Sequence, residues 1–164
     1  MEEKVMRTIK AQPLTREAFH QYGDYCNLLP EQLPDANLDQ ISLDMGRPFQ
    51  NVAFSMIRVM PVEEIIAPMG ESHDWTGQGI LPLDGDVVLY VARPTAGDCP
   101  VEKMEAFYVP KCTLITIKPG VWHFTPFTTK TPVNTLLILP CRTWAHDVKF
   151  YEFTEEEKFK IVCD

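Results

Sequence analysis

The chain has 164 residues, of which 45% are hydrophobic and 23% charged, and its formal net charge at pH 7 is -8. This length and balance predict one globular domain over residues 1–164 with a sizeable buried core. The acidic surface argues against nucleic acid or an anionic membrane as a partner, because both bind basic surfaces.

Neither a targeting segment nor a membrane-spanning segment is predicted. The first four residues include two glutamates rather than starting an apolar signal-peptide run, and no stretch reaches the roughly 18 apolar residues of a spanning helix. The cysteines show no Cys-x-x-Cys spacing, so we expect reduced thiols in a cytoplasmic protein and no structural zinc site. There are five of them: Cys26, Cys99, Cys112, Cys141 and Cys163.

The first predicted elements are a short strand, Val5–Ala11, and a short helix. Thr15 suits the N-cap of this helix, because its hydroxyl can accept a free backbone N–H. Leu14 and Phe19 occupy the two positions of a hydrophobic staple, and Gly23 can adopt the left-handed conformation that ends a helix.

Short strands dominate after a segment without a clear pattern. Residues 26–50 contain several prolines and no period, which predicts a lid, a crossing segment or an interface arm. Alternation then predicts a strand from Val52 to Met60 with Arg58 on an otherwise apolar face. Further predicted strands are Glu63–Ala67, Gly79–Leu83, Asp86–Ala92, Glu105–Val109, Thr113–Ile117, Val133–Leu139 and Val148–Phe153.

This close spacing of strands, with no long amphipathic helix between them, favours an antiparallel sandwich or barrel over a parallel sheet. Near the end of the sequence, Thr154–Glu157 fits a capping box and predicts a short closing helix.

Two short stretches contain the candidate functional residues. The spacing Glu71-x-His73-x(4)-Gln78-x(6)-Gly85 resembles the first motif of the cupins. In a cupin, the strands of a small jelly-roll barrel direct these positions inward around a metal ion or a small ligand. Glu71 replaces a histidine of that motif and Gln78 replaces its glutamate. An amide oxygen is a weaker, neutral ligand, so metal affinity should fall or metal identity shift.

The second stretch, Gly120-x(2)-His123, resembles the end of the second cupin motif. Together the two stretches predict an all-β fold, a cupin-type double-stranded β-helix (jelly-roll barrel) with a short N-terminal and a short C-terminal helix. The metal-ligand candidates are Glu71, His73, Gln78 and His123. His20 and His146 fit structural roles, whereas Trp75 and Trp122 fit either core positions or the walls of a pocket.

With these residues in place, the chain resembles the ureidoglycolate lyase (formerly ureidoglycolate hydrolase) family of cupins, as a divergent member. The resemblance implies cleavage of ureidoglycolate, or of a related small 2-hydroxy or ureido acid, to glyoxylate and urea in the breakdown of allantoin and other purine products. Arg58 also falls where the family has an arginine. Three stretches support the resemblance: the opening helix Pro13-Leu14-Thr15-x-Glu17-Ala18-Phe19-x(2)-Tyr22-Gly23-Asp24, the strand His73-x(4)-Gln78-x(3)-Pro82-x(2)-Gly85, and Val121-Trp122-His123 followed by Pro126.

The family's reaction needs a base that titrates near neutral pH and a cation for the substrate carboxylate. The resemblance implies His123 as the base, with His73 as its partner or as a metal ligand. Arg58 is the first candidate for the carboxylate and Lys118 the second. Gln78 and Trp122 are further candidate contacts to the substrate.

The resemblance also allows one divalent metal ion, nickel or another, or none, and it implies a homodimer that pairs through sheet edges. Two other functions stay open. One is a non-catalytic cupin that binds a small ligand. The other is a different metal-dependent cupin enzyme, such as an isomerase or dioxygenase, acting on a small carboxylate or a sugar.

Overall fold

The computed structural model describes residues 5–29, 41–47 and 51–163. These residues contain two single-turn α-helices, α1 (Arg16–Phe19) and α2 (Thr143–His146), and a 3-10 turn, Val101–Lys103. The remaining elements are strands: β1 Arg7–Pro13, β2 Gly23–Asn27, β3 Val52–Val59, β4 Ile65–Ala67, β5 Met69–Ser72, β6 Gln78–Pro82, β7 Val87–Ala92, β8 Glu105–Val109, β9 Thr113–Ile117, β10 Trp122–His123, β11 Val133–Pro140, β12 Lys149–Glu152 and β13 Phe159–Val162.

The strands form two sheets. The larger has the order β12-β5-β10-β7-β8-β1-β13-β4, and the smaller has the order β2-β9-β6-β11-β3. Neighbouring strands are antiparallel, except that β1 runs parallel to both of its neighbours, β8 and β13. The predicted all-β, cupin-type jelly-roll class is therefore confirmed, with two parallel pairings that strand spacing alone did not indicate.

The core lies on both faces of the larger sheet, as the central strand β7 shows. Val87, Leu89 and Val91 pack with buried residues of the smaller sheet, such as Ile80 and Ile115, so they face the barrel interior. We call this first group of residues the interior cluster. The alternate residues of β7 pack on the other face of the sheet, in a second group that we call the outer cluster. Its members on β7, β8 and β10 are Val88, Tyr90, Ala92, Ala106 and Trp122.

The predicted N-terminal helix is confirmed at its start and wrong at its end. The Thr15 hydroxyl accepts the Ala18 N–H at 3.2 Å, as an N-cap does. The helix ends at Phe19 after one turn, and Gly23 does not end it but begins β2. A Cβ at Gly23 would lie 1.7 Å from the Thr116 carbonyl oxygen, so glycine is required here by the close approach of the neighbouring strand.

The predicted closing helix is wrong, although its capping box forms. The Glu157 carboxylate accepts the Thr154 N–H at 2.9 Å. The chain makes one turn there and then enters β13 at Phe159, which packs in the outer cluster. Burial of that apolar strand prevails over the local helix signal.

Four strands escape the sequence pattern: β2, β5, β10 and β13. They are two to five residues long, a length at which a period of two is a weak signal, although other strands of three to five residues were predicted. The segment 26–50, predicted as a lid, a crossing segment or an interface arm, is described only in part. Residues 26 and 27 belong to β2, and residues 41–47 are irregular. Residues 30–40 and 48–50 lie outside the described residues. In the part of the chain that is described, neither helix is long and apolar enough to cross a membrane.

Candidate functional site

Strand register places Glu71 and His123 next to each other inside the barrel. On β10, His123 lies opposite Glu71 of β5 on one side and opposite Val91 of β7 on the other. Val91 belongs to the interior cluster, and directly opposed residues share a face, so both polar side chains point inward. His73 lies two residues beyond Glu71 on the same face, and all three side chains are buried.

The smaller sheet contributes Gln78 from the first position of β6. Ile80, two residues further on, packs in the interior cluster, so Gln78 also points inward. Its Oε1 lies 2.9 Å from His73 Nε2 and 3.0 Å from His123 Nε2. The four residues that the sequence selected as metal-ligand candidates thus converge from both sheets.

A backbone contact holds the two sequence motifs together. The N–H of Gly120 donates to the His73 carbonyl at 2.6 Å. Gly120 has a φ of 76°, in the left-handed region that favours glycine. The glycine that sequence spacing assigned to a turn therefore also fixes the second motif against the first.

The hydrogen bonds of the two imidazoles determine their tautomers. His73 Nδ1 donates to the Asp147 carbonyl at 2.6 Å, and His123 Nδ1 donates to the Val121 carbonyl at 2.9 Å. Carbonyl oxygens only accept, so each neutral ring has its proton on Nδ1 and a lone pair on Nε2. Both lone pairs point towards Gln78.

This set of converging acceptors fits a divalent metal ion. Glu71, His73 and His123 each offer a ligand atom, and these atoms lie within 4.8 Å of one another. With the oxygen of Gln78, they form a mixed nitrogen and oxygen set that suits a first-row transition ion. The set can also be satisfied without an ion, because a turned Gln78 amide would donate one N–H to each Nε2 lone pair.

Burial shifts the pKa values of both titratable groups of the contact towards their neutral forms. It raises the pKa of Glu71 to about 7. For His123, burial and then the neighbouring His73 lower the pKa to about 3. Between these two pKa values, the contact of 3.6 Å between Glu71 Oε1 and His123 Nε2 therefore joins a carboxylic acid to a neutral imidazole rather than forming an ion pair. Such a contact places a proton donor and a proton acceptor side by side.

Asp147, at the end of α2, is a site residue that sequence reasoning missed. Its carbonyl holds His73, while its carboxylate accepts the N–H groups of Asp74 and Trp75 at 2.9 and 3.1 Å and the Thr76 hydroxyl at 3.3 Å. Asp147 thereby anchors the loop between His73 and Gln78. It lies 74 positions from His73, outside both motifs, and no local signal marks it.

Arg58, the predicted carboxylate ligand, lies at the wrong end of the smaller sheet. It pairs with Asn134 of β11, whereas Gly79, next to Gln78, pairs with Ile138. Gln78 is therefore level with the residue after Ile138, five positions from Asn134 and about 17 Å along the strand. Arg58 is also exposed on the outward face of β3. The alternation of the sequence correctly placed Arg58 on an otherwise apolar face of the strand. It did not indicate that this face is the outer one.

Two further predicted contacts also point elsewhere. Trp122 precedes His123 on β10, so its side chain lies on the opposite face of the sheet. It packs in the outer cluster, where its Nε1–H donates to the Thr95 hydroxyl at 3.1 Å. Lys118 donates from Nζ to the His20 carbonyl and lines a separate surface cavity. None of the described contacts of these two side chains involves the imidazoles of His73 or His123.

The sequence is similar to known proteins over most of its length. The profile of the family described as ureidoglycolate lyase matches residues 6–161. A ureidoglycolate lyase of Burkholderia mallei is 30% identical over 129 residues, which cover 72% of this chain and 74% of the relative. A ureidoglycolate lyase of Pseudomonas aeruginosa is 28% identical over 172 residues, covering 95% of this chain and 96% of the relative.

Solved structures show a more distant likeness. A dTDP sugar isomerase from Desulfovibrio desulfuricans superposes with a TM-score of 0.46 and 18% identity, over 83% of this chain and 84% of that chain. An oxalate decarboxylase of Bacillus subtilis superposes with a TM-score of 0.44 and 12% identity, over 63% of this chain and 24% of that chain.

Proposed function

The chain belongs to the ureidoglycolate lyase family, and on that premise we propose that it is a carbon–nitrogen lyase that cleaves ureidoglycolate, or a closely related small ureido acid, into glyoxylate and urea. One observation supports this proposal above the others. The buried carboxyl of Glu71 faces the neutral imidazole of His123 at 3.6 Å, and their pKa values are shifted in opposite directions. Separated pKa values of this kind divide the acid and base roles between two groups. The raised pKa suits Glu71 as the acid, whereas the pKa of His123 must rise towards neutrality when substrate binds for its imidazole to act as the base.

The reaction converts the carbon that bears the hydroxyl group into an aldehyde. The hydroxyl proton leaves, the C–O bond becomes double, the C–N bond breaks and the departing nitrogen gains a proton. In our proposal, His123 Nε2 accepts the hydroxyl proton and Glu71 donates its proton to the urea nitrogen. Transfer of the proton from His123 to Glu71, across their contact, then restores both groups.

His73 and Gln78 position this pair. His73 Nε2 and His123 Nε2 share the same side-chain amide, which fixes the spacing of the two rings. The carbonyls that hold the two Nδ1 protons keep both lone pairs turned inward. We therefore assign His73 and Gln78 the orientation of the base and contact with the substrate.

A divalent ion such as nickel would be held by the Nε2 atoms of His73 and His123, the Glu71 carboxylate and Gln78 Oε1. When bound, it would supply Lewis-acid polarisation of the substrate oxygens. The lone pair of His123 cannot both bind an ion and accept the hydroxyl proton. The metal content of active protein therefore distinguishes these two uses of the site.

The direct test is to incubate purified protein with ureidoglycolate and to measure the release of urea and glyoxylate, with and without prior chelation. Removing the base should lower turnover at least a hundredfold, so we expect that loss in His123→Ala. His20→Ala is the matched control, because His20 is an exposed histidine. The one hydrogen bond described for its ring is to the Glu17 carbonyl. Absence of both products with the wild-type protein would contradict the proposal. A ligand-dependent rise in melting temperature without turnover would instead favour a binding protein.

We also propose that the protein acts as a homodimer in the cytoplasm. Among the described residues, β3 is one of the two edge strands of the smaller sheet, and its outward side chains include Phe54 and Met56, which are 67% and 56% exposed. An edge strand with unpaired backbone groups and an apolar face favours pairing with another chain, here a second copy of β3. The five cysteines are thiols rather than disulfides, which suits a reducing compartment.

A further inference from the structure

The proposed substrate has a carboxylate, and the chain must provide a cation to bind it. The sequence has six arginines, all within the described residues. Two of them, Arg47 and Arg142, lie close to the histidine pair and have no carboxylate partner among the described residues. The other four are engaged or remote: Arg7 donates to the Val101 carbonyl, Arg16 pairs with Asp24, Arg58 lies at the far end of its sheet, and Arg93 shares a cavity with Glu102 and Glu105.

Arg47 and Arg142 line one cavity of about 550 Å³, directly outside the loop that joins His73 to Gln78. Thr76 of that loop forms part of the wall, and so does Asp147, whose carbonyl holds His73 Nδ1. This volume lies in the range of small-molecule sites. The cavity is on the Nδ1 side of His73, whereas the acceptor cluster is on the Nε2 side.

The cavity has an excess of positive charge. Asp147 provides the carboxylate of its wall, and three donors of the 74–76 loop already occupy that group. Within the described ranges, neither Arg47 nor Arg142 has a carboxylate at ion-pair distance. The Arg47 guanidinium lies over the Trp75 ring, 5.6 Å from its centre, a contact of the guanidinium face that leaves N–H donors available.

Arg142 adopts a backbone conformation that residues other than glycine rarely adopt, with a φ of 68° and a ψ of 18°. Such a conformation persists only where the surrounding structure imposes it, and functional sites are where it is concentrated. Arg142 immediately precedes α2, and Asp147 follows α2. One helical turn therefore connects the guanidinium to the residue that orients His73.

We propose that this cavity is the site that captures the substrate carboxylate, with Arg142 and Arg47 as its two cations. The proposal rests on the proposed function and adds residues that determine substrate specificity. Two guanidiniums suit bidentate binding of a carboxylate. Because the carboxylate is bonded to the reacting carbon, the cavity outside His73 holds the substrate before the reaction, and the substrate then moves to the Nε2 side for proton transfer. The ligand class is a small 2-hydroxy or 2-oxo monocarboxylate, which includes both ureidoglycolate and glyoxylate.

The test uses two variants and one matched control. Arg142→Gly removes the guanidinium while relieving the left-handed backbone, so it should fold at least as well as the wild type. Arg47→Ala removes the second cation, and Arg58→Ala removes an exposed arginine far from the site. Calorimetric titration with glyoxylate should show affinity lower by about tenfold to a hundredfold in each of the first two variants and unchanged affinity in the third. The KM for ureidoglycolate should rise in parallel, with little change in kcat.

The outcomes separate this proposal from the function on which it rests. The capture site would be overturned if Arg142→Gly and Arg47→Ala both kept a glyoxylate affinity and a KM within twofold of the wild type. This holds even if the wild type cleaves ureidoglycolate. Glyoxylate binding that depends on the two arginines, in a protein that releases no urea, would uphold the site and overturn the proposed reaction.

Discussion

The backbone carbonyl of Asp147 accepts the Nδ1 proton of His73, while the carboxylate of the same residue holds the loop that follows His73. One residue thus sets both the tautomer of the imidazole and the path of the chain towards Gln78. Partners of this kind, which orient a ligand or a base through its other ring nitrogen, typically change metal affinity or activity by 10- to 100-fold when they are lost.

Asp147→Ala removes the carboxylate that anchors the loop from His73 to Gln78, so we predict that it lowers kcat by about ten- to a hundredfold, with a smaller change in KM. Asp147→Asn retains one acceptor oxygen and should fall between the alanine variant and the wild type. Both variants keep the backbone carbonyl that accepts the Nδ1 proton, so nitrogen NMR should show the same His73 tautomer in all three proteins. A purely structural role would lower the melting temperature and leave the turnover of folded protein unchanged.

The matched control for Asp147 is Lys149→Ala. Lys149 pairs at 2.6 Å with Asp74, which lies on the same loop, and none of its described hydrogen bonds or ion pairs involves Asp147. Exposed ion pairs contribute about 0–1 kcal/mol, so kcat should not change in this variant. A fall in kcat equal to that of Asp147→Ala would show that any disturbance of the loop has the same effect.

The buried pair of Glu71 and His123 should make the stability of the chelator-treated protein depend on pH. The raised pKa of Glu71, about 7 against an ordinary 4.5, gives the folded state an extra proton in that window, so stability falls as pH rises. The lowered pKa of His123, about 3 against an ordinary 6.5, gives the unfolded state the extra proton, so stability rises with pH. Between about pH 4.5 and 6.5 the two contributions oppose each other.

Glu71→Gln should therefore reveal the contribution of His123. From pH 5 to pH 6, its free energy of unfolding should rise by about 1 kcal/mol more than that of the wild type. Urea denaturation at the two pH values measures the difference. Parallel changes in the two proteins would mean that the Glu71 carboxyl is already ionised in the folded protein at these pH values, which contradicts its pairing with His123 as a neutral acid.

Much of the architecture and half of the site could be read from the sequence, and the limits have physical causes. Alternation and turn residues predicted the longer strands, and motif spacing selected Glu71, His73, Gln78 and His123, because these signals are local. The face on which Arg58 lies depends on which sheet covers the strand, and the role of Asp147 depends on a contact across 74 positions. Neither relationship leaves a trace in neighbouring residues.

Trp122 illustrates the same limit, since its neighbour His123 suggested a shared pocket. Adjacent strand residues point to opposite faces, and the indole is buried in the outer cluster. We predict that Trp122→Phe lowers the free energy of unfolding by about 1–3 kcal/mol, through lost packing and the lost bond to Thr95. The KM and kcat of the folded variant should equal those of the wild type. A raised KM would return Trp122 to the substrate site.

The proposed dimer predicts that charge on the edge strand β3 separates the subunits. Met56→Glu should convert the protein to a monomer in sedimentation velocity, because a buried carboxylate without a partner opposes pairing. Ile66→Glu is the matched control, since Ile66 is exposed on β4, an edge strand of the larger sheet. Dissociation by the control alone would assign the interface to β4 instead.

The parallel pairing of β1 has a consequence for how the protein folds during synthesis. Ala11 pairs with Ala106 and Arg7 with Phe159, so both neighbours of this early strand come from late in the sequence. Contacts between such distant segments slow folding, because the intervening chain must be ordered before they can form. On the ribosome, β1 would emerge long before either partner exists, and its unpaired edges would be available to chaperones, or to a second nascent chain, until synthesis is nearly complete.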